Sequence, residues 1–185
     1  MLFPSSNIFV DGGGHNCHRL QKYLHKLPAF DKGFVFEPNP IFHHSYKDSN
    51  LILIKKAIWT VDCNLPFYIS KDDFQVGSSL IKNKLCRVNS KFKPFFYESS
   101  IEVECVDFSN WIKNNTSKKD NLYVKLDIEG AEYDVLWKMI KDGSIHRVKK
   151  LFVEFHADHM KIDKASHDLL IKELEKNGIT PNDWD

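Results

Sequence analysis

Three charged side chains at alternate positions, Lys125, Asp127 and Glu129, interrupt the apolar run LYVKLDIEGAE at Leu122–Glu132. Alternate residues of a strand share a face. The spacing therefore predicts a cation and two carboxylates in a row at the C-terminal end of a central strand, where open α/β sheets bind ligands. A carboxylate there can take a proton from a hydroxyl or bind a cation. Unpaired charge is costly to bury, so such a row needs a partner or a ligand. The competing reading is one charge at an exposed strand end, followed by an acid facing the positive end of the next helix. Glu132 suits that capping role, while Glu129 fits either reading.

A second such stretch opens the chain. FVDGGGHNC at 9–17 passes from an apolar run through Asp11, Gly12, Gly13 and Gly14 into a helical pattern. A glycine turn between strand and helix lets backbone approach a ligand and presents helix N–H groups. Glu37 ends the next apolar run, where an acid can accept hydrogen bonds from both hydroxyls of a ribose. Each alone is an ordinary turn and a surface acid; in order, they point to a nucleoside-bearing cofactor. The dinucleotide pattern G-x-G-x-x-G fails at Cys17, and no G-K-[ST] follows for a phosphate loop. An acid entering the turn suits a cofactor with an aminoacyl group better than one with a pyrophosphate. A third pair, Glu154 and His156, shares one face at the end of a later strand. His159 completes an H-x-x-H, but on a loop this is a poor zinc signal.

These side chains need a scaffold, and the hydrophobic pattern supplies one. Asn7 to Val10 reads as a strand, and Cys17, Leu20, Leu24 and Leu27 recur at helical spacing before Pro28. A strand ending on Glu37 follows, then a helix capped by Asn39 and opened by Pro40, running to about Asp48. Leu51 to Trp59 reads as a third strand. Strand–helix–strand–helix–strand predicts a parallel sheet with right-handed crossovers. Pro66 to Ser70 reads as an antiparallel edge strand. Ile101, Val103 and Cys105 form a half-exposed strand, and Asp107 caps a short helix. Val148 to Phe155 is a buried strand, and the last helix runs from about Lys164 to Asn177. The whole, residues 1–185, reads as one domain with an insertion at about 70–100. That insertion interleaves Lys82, Lys84, Arg87, Lys91 and Lys93 with Phe92, Phe95, Phe96 and Tyr97. They could stack a sugar or a base, or form a solvated loop whose aromatics pack onto the sheet.

With 42% apolar and 28% charged residues and a net charge of +1, nothing marks the chain as a nucleic-acid polyelectrolyte. No apolar run approaches the ~20 residues that span a bilayer, and the first residues lack a signal-peptide pattern. The four cysteines show no metal-binding spacing, which suits reduced thiols in the cytoplasm.

The motifs taken together resemble the FkbM family of methyltransferases, class I enzymes that use S-adenosylmethionine. They are VDGGG at 10–14, FEPNP at 36–40, the segment around Ala57, GSSL at 77–80, VDFSNWI at 106–112, KLDIEGAE at 125–132 and VEFH at 153–156. The resemblance implies a Rossmann-like α/β fold with a mostly parallel central sheet, helices on both faces and a C-terminal hairpin cut short. Edge strands could then be covered by a second copy of the chain. It implies donor contacts from Asp11, Gly12, Gly13, Gly14 and Glu37, with Ala57 and Ile58 at the adenine and Ser78 and Ser79 beside donor or acceptor. The acceptor would be a hydroxyl of a sugar, glycan or small metabolite. Asp127 would be its base, Lys125 would support it, and His156 would be a second base. Glu129 and Glu154 would contact the acceptor. Asp127 as a Mg²⁺ ligand is the less favoured alternative, because no clear second and third ligand accompanies it. Two other readings differ in class. An RNA 2′-O-methyltransferase would use the basic-aromatic insertion, which the near-neutral charge speaks against. A donor-binding module without activity is motivated by His15 and Cys17, where the family usually carries glycine or asparagine and glycine.

Overall fold

The computed structural model describes residues 5–18, 20, 25, 27–88 and 90–184. Its frame is a six-stranded sheet made of β1 (Asn7–Gly12), β2 (Lys32–Phe36), β3 (Leu51–Ile54), β9 (Asn121–Leu126), β10 (Val148–Val153) and β11 (Asn182–Asp183). The spatial order is β11-β10-β9-β1-β2-β3, and every pairing is parallel. This is a Rossmann-like arrangement, and the crossover from β3 to β9 puts the C-terminal ends of β1 and β9 side by side.

The period of two divides the core. Ile8, Val10, Phe34, Phe36, Leu122, Val124, Leu126, Leu151 and Val153 face one way. There they meet α1 (Phe108–Asn115), α2 (Glu132–Lys141) and α3 (Lys164–Lys176) through residues such as Ile112, Leu136, Met139 and Leu170. Phe9, Val35, Tyr123 and Phe152 face the other way, onto Cys17, Leu20, Tyr46 and Trp184. Strands buried on both faces read as continuous apolar runs, as these do. Asp107 caps α1 as expected, its Oδ1 accepting from Asn110 N at 3.0 Å. The helix expected over Cys17–Leu27 lies mostly outside the described residues.

Two expectations need correction. The run Leu51–Trp59 is not one strand. It breaks at Lys55 and Lys56, and β4 (Ala57–Trp59) leaves the large sheet to pair with β8 (Tyr97–Asp107). β5 (Cys63–Ser70) is the antiparallel partner on the other side of β8. The element after Asn39 is a short 3-10 helix, Pro40–Tyr46, whose His43 and His44 rings bond the carbonyls of Glu37 and Ile41. Within segment 70–97 stands a hairpin of β6 (Leu85–Val88) and β7 (Lys91–Pro94). No helix among the described residues is long and apolar enough to cross a membrane.

Candidate active site

The glycine turn leaves the end of β1 and folds back over the end of β2. Gly13 N and Gly14 N both donate to Phe36 O, at 3.1 and 3.2 Å. Gly13 has φ +81, and a Cβ there would lie 1.9 Å from Asp127 O. Only glycine fits that approach, so the turn and the end of β9 interlock. His15 and Cys17 also have left-handed backbones, at φ 49 and 67. That explains why glycine suits both positions. Here the side chains hold the strained conformation by packing. Cys17 is buried in the core, while the His15 ring packs at a tilt against Phe42, centroids 3.9 Å apart, and its Nε2 bonds Phe74 O at 2.8 Å.

Lys125 lies beneath this turn, not at its mouth. It is the register partner of Asp11 on the adjacent strand. Its ammonium pairs with Asp11 at 3.0 Å and Asp127 at 3.4 Å, and donates to the carbonyls of Gly12 and Gly13. Burial works to strip its proton, but Asp11 and Asp127 outweigh that and hold its pKa above the ordinary lysine value. The expected role of Lys125 at the acceptor does not fit a cation enclosed this way, nor does direct donor contact fit Asp11, which is 1% exposed. Both shape the turn from below.

A cleft of about 120 Å³ opens above. Of the residues expected in the site, Gly13, Glu37, Ala57, Ile58, Ser78, Asp127 and Glu129 line it, with Phe36, Phe42, Phe67 and Leu80 as apolar walls. Gly12, Gly14, Ser79, Glu154 and His156 are not among its lining residues. Glu37 Oε2 accepts from His15 N and Oε1 from Asn39 N, each at 2.7 Å. Burial nonetheless pushes its carboxyl up to about 7, against those two backbone bonds. Asn39 Nδ2 donates to Gln75 Oε1 at 2.7 Å, drawing segment 70–97 over the cleft.

β9 ends at Leu126, so Glu129 does not continue the row of Lys125 and Asp127 as the alternation predicts. It sits on the following turn with φ 56. Its Oε2 pairs with Lys84 and lies 3.2 Å from His156 Nε2. Glu132 is fully buried and does more than cap α2: it accepts from Ile128 N and Gly130 N, and from His156 Nδ1 at 3.1 Å. Burial alone would lower the His156 pKa, but Glu132 first, then Glu129 and Asp127, hold it up at about 9. Both ring nitrogens therefore carry protons at neutral pH. Glu154 lies 3.9 Å from the same ring.

Asp127, Glu129 and His156 offer atoms within 4.8 Å of one another, a spacing a divalent ion could use. Lys84 already pairs with Glu129 there, however, and Glu132 bonds the Nδ1 side of the His156 ring. Lys84 is the residue that sequence reasoning missed. Counted with the surface lysines, it is 2% exposed and pairs with Glu129. Nothing in its neighbourhood in the chain signals that.

A sequence profile described as the methyltransferase FkbM domain matches residues 11–179. Among solved structures, the chain is similar to the crystal structure of methyltransferase FkbM from Methylobacillus flagellatus KT, at 14% identity and a TM-score of 0.49. The likeness covers 93% of this chain and 38% of that one; the chain thus spans well under half of that structure's length. No curated protein matches it.

Proposed function

Since this chain belongs to the FkbM methyltransferase family, we propose that it methylates a hydroxyl of a sugar, glycan or small metabolite, with S-adenosylmethionine as donor. The observation that carries the reading is one continuous cleft running from Glu37 past Gly13 to Asp127. The residues fit the donor's three parts. Phe36, Ala57, Ile58 and Phe67 offer an apolar slot for the adenine, and Glu37 retains lone pairs for the ribose hydroxyls beyond those its backbone donors use. The close-approach turn at Gly13 leaves room for the aminoacyl tail. S-adenosylmethionine, when bound, supplies a methyl group activated by its sulfonium.

Asp127 is our base. Its carboxylate takes the proton of the acceptor hydroxyl as that oxygen attacks, since an unperturbed aspartate (pKa about 3.9) is too weak to remove it beforehand. Lys125 holds Asp127 and the turn in register and does not touch the acceptor. His156 is a doubly protonated clamp at neutral pH and is not available as a base there. Lys84, already paired with Glu129, speaks against a metal there. The four free thiols suit a reducing compartment such as the cytoplasm.

Calorimetry with S-adenosylmethionine tests the donor, and absence of heat at millimolar donor would sink the reading. Asp127→Asn should lower methyl transfer by at least a hundredfold with donor affinity within a fewfold. Unchanged turnover would remove Asp127 as base.

A further inference from the structure

Segment 70–97 grips one residue of the site, Glu129, twice. Ser79 Oγ donates to Glu129 O at 2.7 Å, and the Lys84 ammonium pairs with Glu129 Oε2. Lys84 is itself fixed, donating to Gly77 O at 3.0 Å and lying 4.7 Å from the Phe95 ring centre. A lysine buried this deeply is costly unless its charge is matched. Glu129 in turn holds a left-handed backbone, φ 56, which a non-glycine residue adopts only against steric strain. Strain of this kind persists where surrounding contacts impose it, and it concentrates at functional sites. Both charged contacts of the carboxylate, Lys84 and His156, fall on Oε2. Oε1 accepts no hydrogen bond among the described residues, and Glu129 lines the cleft next to Asp127.

The geometry points to Lys84 as a positioning residue, which holds Glu129 turned so that Oε1 anchors a hydroxyl of the acceptor beside Asp127. This rests on the methyl-transfer reading and deepens it. The acceptor class it selects is a polyhydroxylated molecule, one hydroxyl donating to Glu129 while its neighbour is presented to Asp127, as vicinal diols of a sugar ring can be. A carboxylate that accepts from the acceptor discriminates strongly against analogues lacking that hydroxyl, because it would be left unmatched.

The test needs no knowledge of the natural acceptor. Methyl glycosides of common hexoses are screened by saturation-transfer NMR against the protein saturated with S-adenosylhomocysteine. Glycosides should bind the wild-type complex. Lys84→Met should weaken them at least tenfold while S-adenosylhomocysteine affinity stays within twofold, and Lys84→Arg should recover most of the loss. A general loosening of the fold would weaken both ligands and would not be rescued by arginine. If Lys84→Met does not fold, Glu129→Gln carries the same test, since it keeps the volume and leaves Lys84 bonded to Gly77 O. Glycoside binding unchanged in Lys84→Met, or in Glu129→Gln, overturns the proposal. So does a wild-type complex that holds S-adenosylhomocysteine but no glycoside, which leaves methyl transfer standing. Failure of the wild type to bind S-adenosylhomocysteine would instead strike the methyl-transfer reading itself.

Discussion

Two lysines are buried equally deeply on opposite sides of the cleft, Lys125 and Lys84, each 2% exposed. Lys125 belongs to the sheet. Its counter-ion Asp11 is its register partner on the next strand, and its ammonium also meets Asp127, the carbonyls of the glycine turn and the Trp184 ring. Lys84 comes from a segment outside the large sheet and meets Glu129, which keeps 21% of its side chain exposed. One ammonium closes a charge balance inside the core, and the other holds a cleft residue that still sees solvent. The part of the cleft proposed for the donor is thus built by strand register, and the part proposed for the acceptor by a segment folding over it.

Removing the two ammonium groups separates these roles most sharply. Lys125→Met should cost about 3–5 kcal/mol in urea unfolding, because Asp11 would be left buried without its partner. Lys84→Met should cost only about 1 kcal/mol, since Glu129 can turn to water. Equal costs would mean that Lys84 is as much a part of the core as Lys125.

A smaller effect tests whether the acceptor half depends on the doubly protonated His156. Its folded-state pKa, about 9, lies above the unfolded value of 6.5. The group therefore contributes stability that is fully present below pH 6.5 and is lost as pH rises through about 9. Unfolding followed from pH 6.5 to 9.5 should show a decline of about 3 kcal/mol, and His156→Gln should flatten it.

The least of the expected effects lies on the donor side. Glu37 has its carboxyl raised from 4.5 to about 7, so ionising it destabilises the ligand-free fold as pH rises between those values. Ribose hydroxyls favour the ionised form. Donor affinity should therefore tighten by up to about tenfold per pH unit towards pH 7, level off above it, and become flat in Glu37→Gln. Calorimetry in two buffers of different ionisation heat should also detect proton release on binding below pH 7. A flat profile in the wild type would show that Glu37 is already ionised before the donor arrives.

Much of the donor half was legible because its logic is local. Asp11, the three glycines and Glu37 occur at strand ends that hydrophobic periodicity locates, and the glycine spacing excludes pyrophosphate loops. Even there the reading erred in detail. Nothing in the sequence says that Asp11 and Lys125 neutralise each other beneath the turn, because that depends on which strands are neighbours and in which register. The acceptor half was less legible. Alternation carried Glu129 onto the face of Asp127, but the strand stops at Leu126 and the turn at Glu129–Gly130 re-aims the carboxylate. Glu132, placed from the sequence as a helix cap, proved to be the buried acceptor of two backbone donors and the His156 ring.

What the sequence by itself determined is the parallel sheet, the strand ends where the site forms, and the kinds of side chain waiting there. Alternation and glycine punctuation are properties of consecutive residues and need no tertiary knowledge. Only the tertiary structure decided which charges pair. A lysine in a polar segment and a carboxylate forty-five positions later carry no local sign of each other. Their pairing follows from where segment 70–97 lands, and the cost of burying an unmatched charge makes that landing specific.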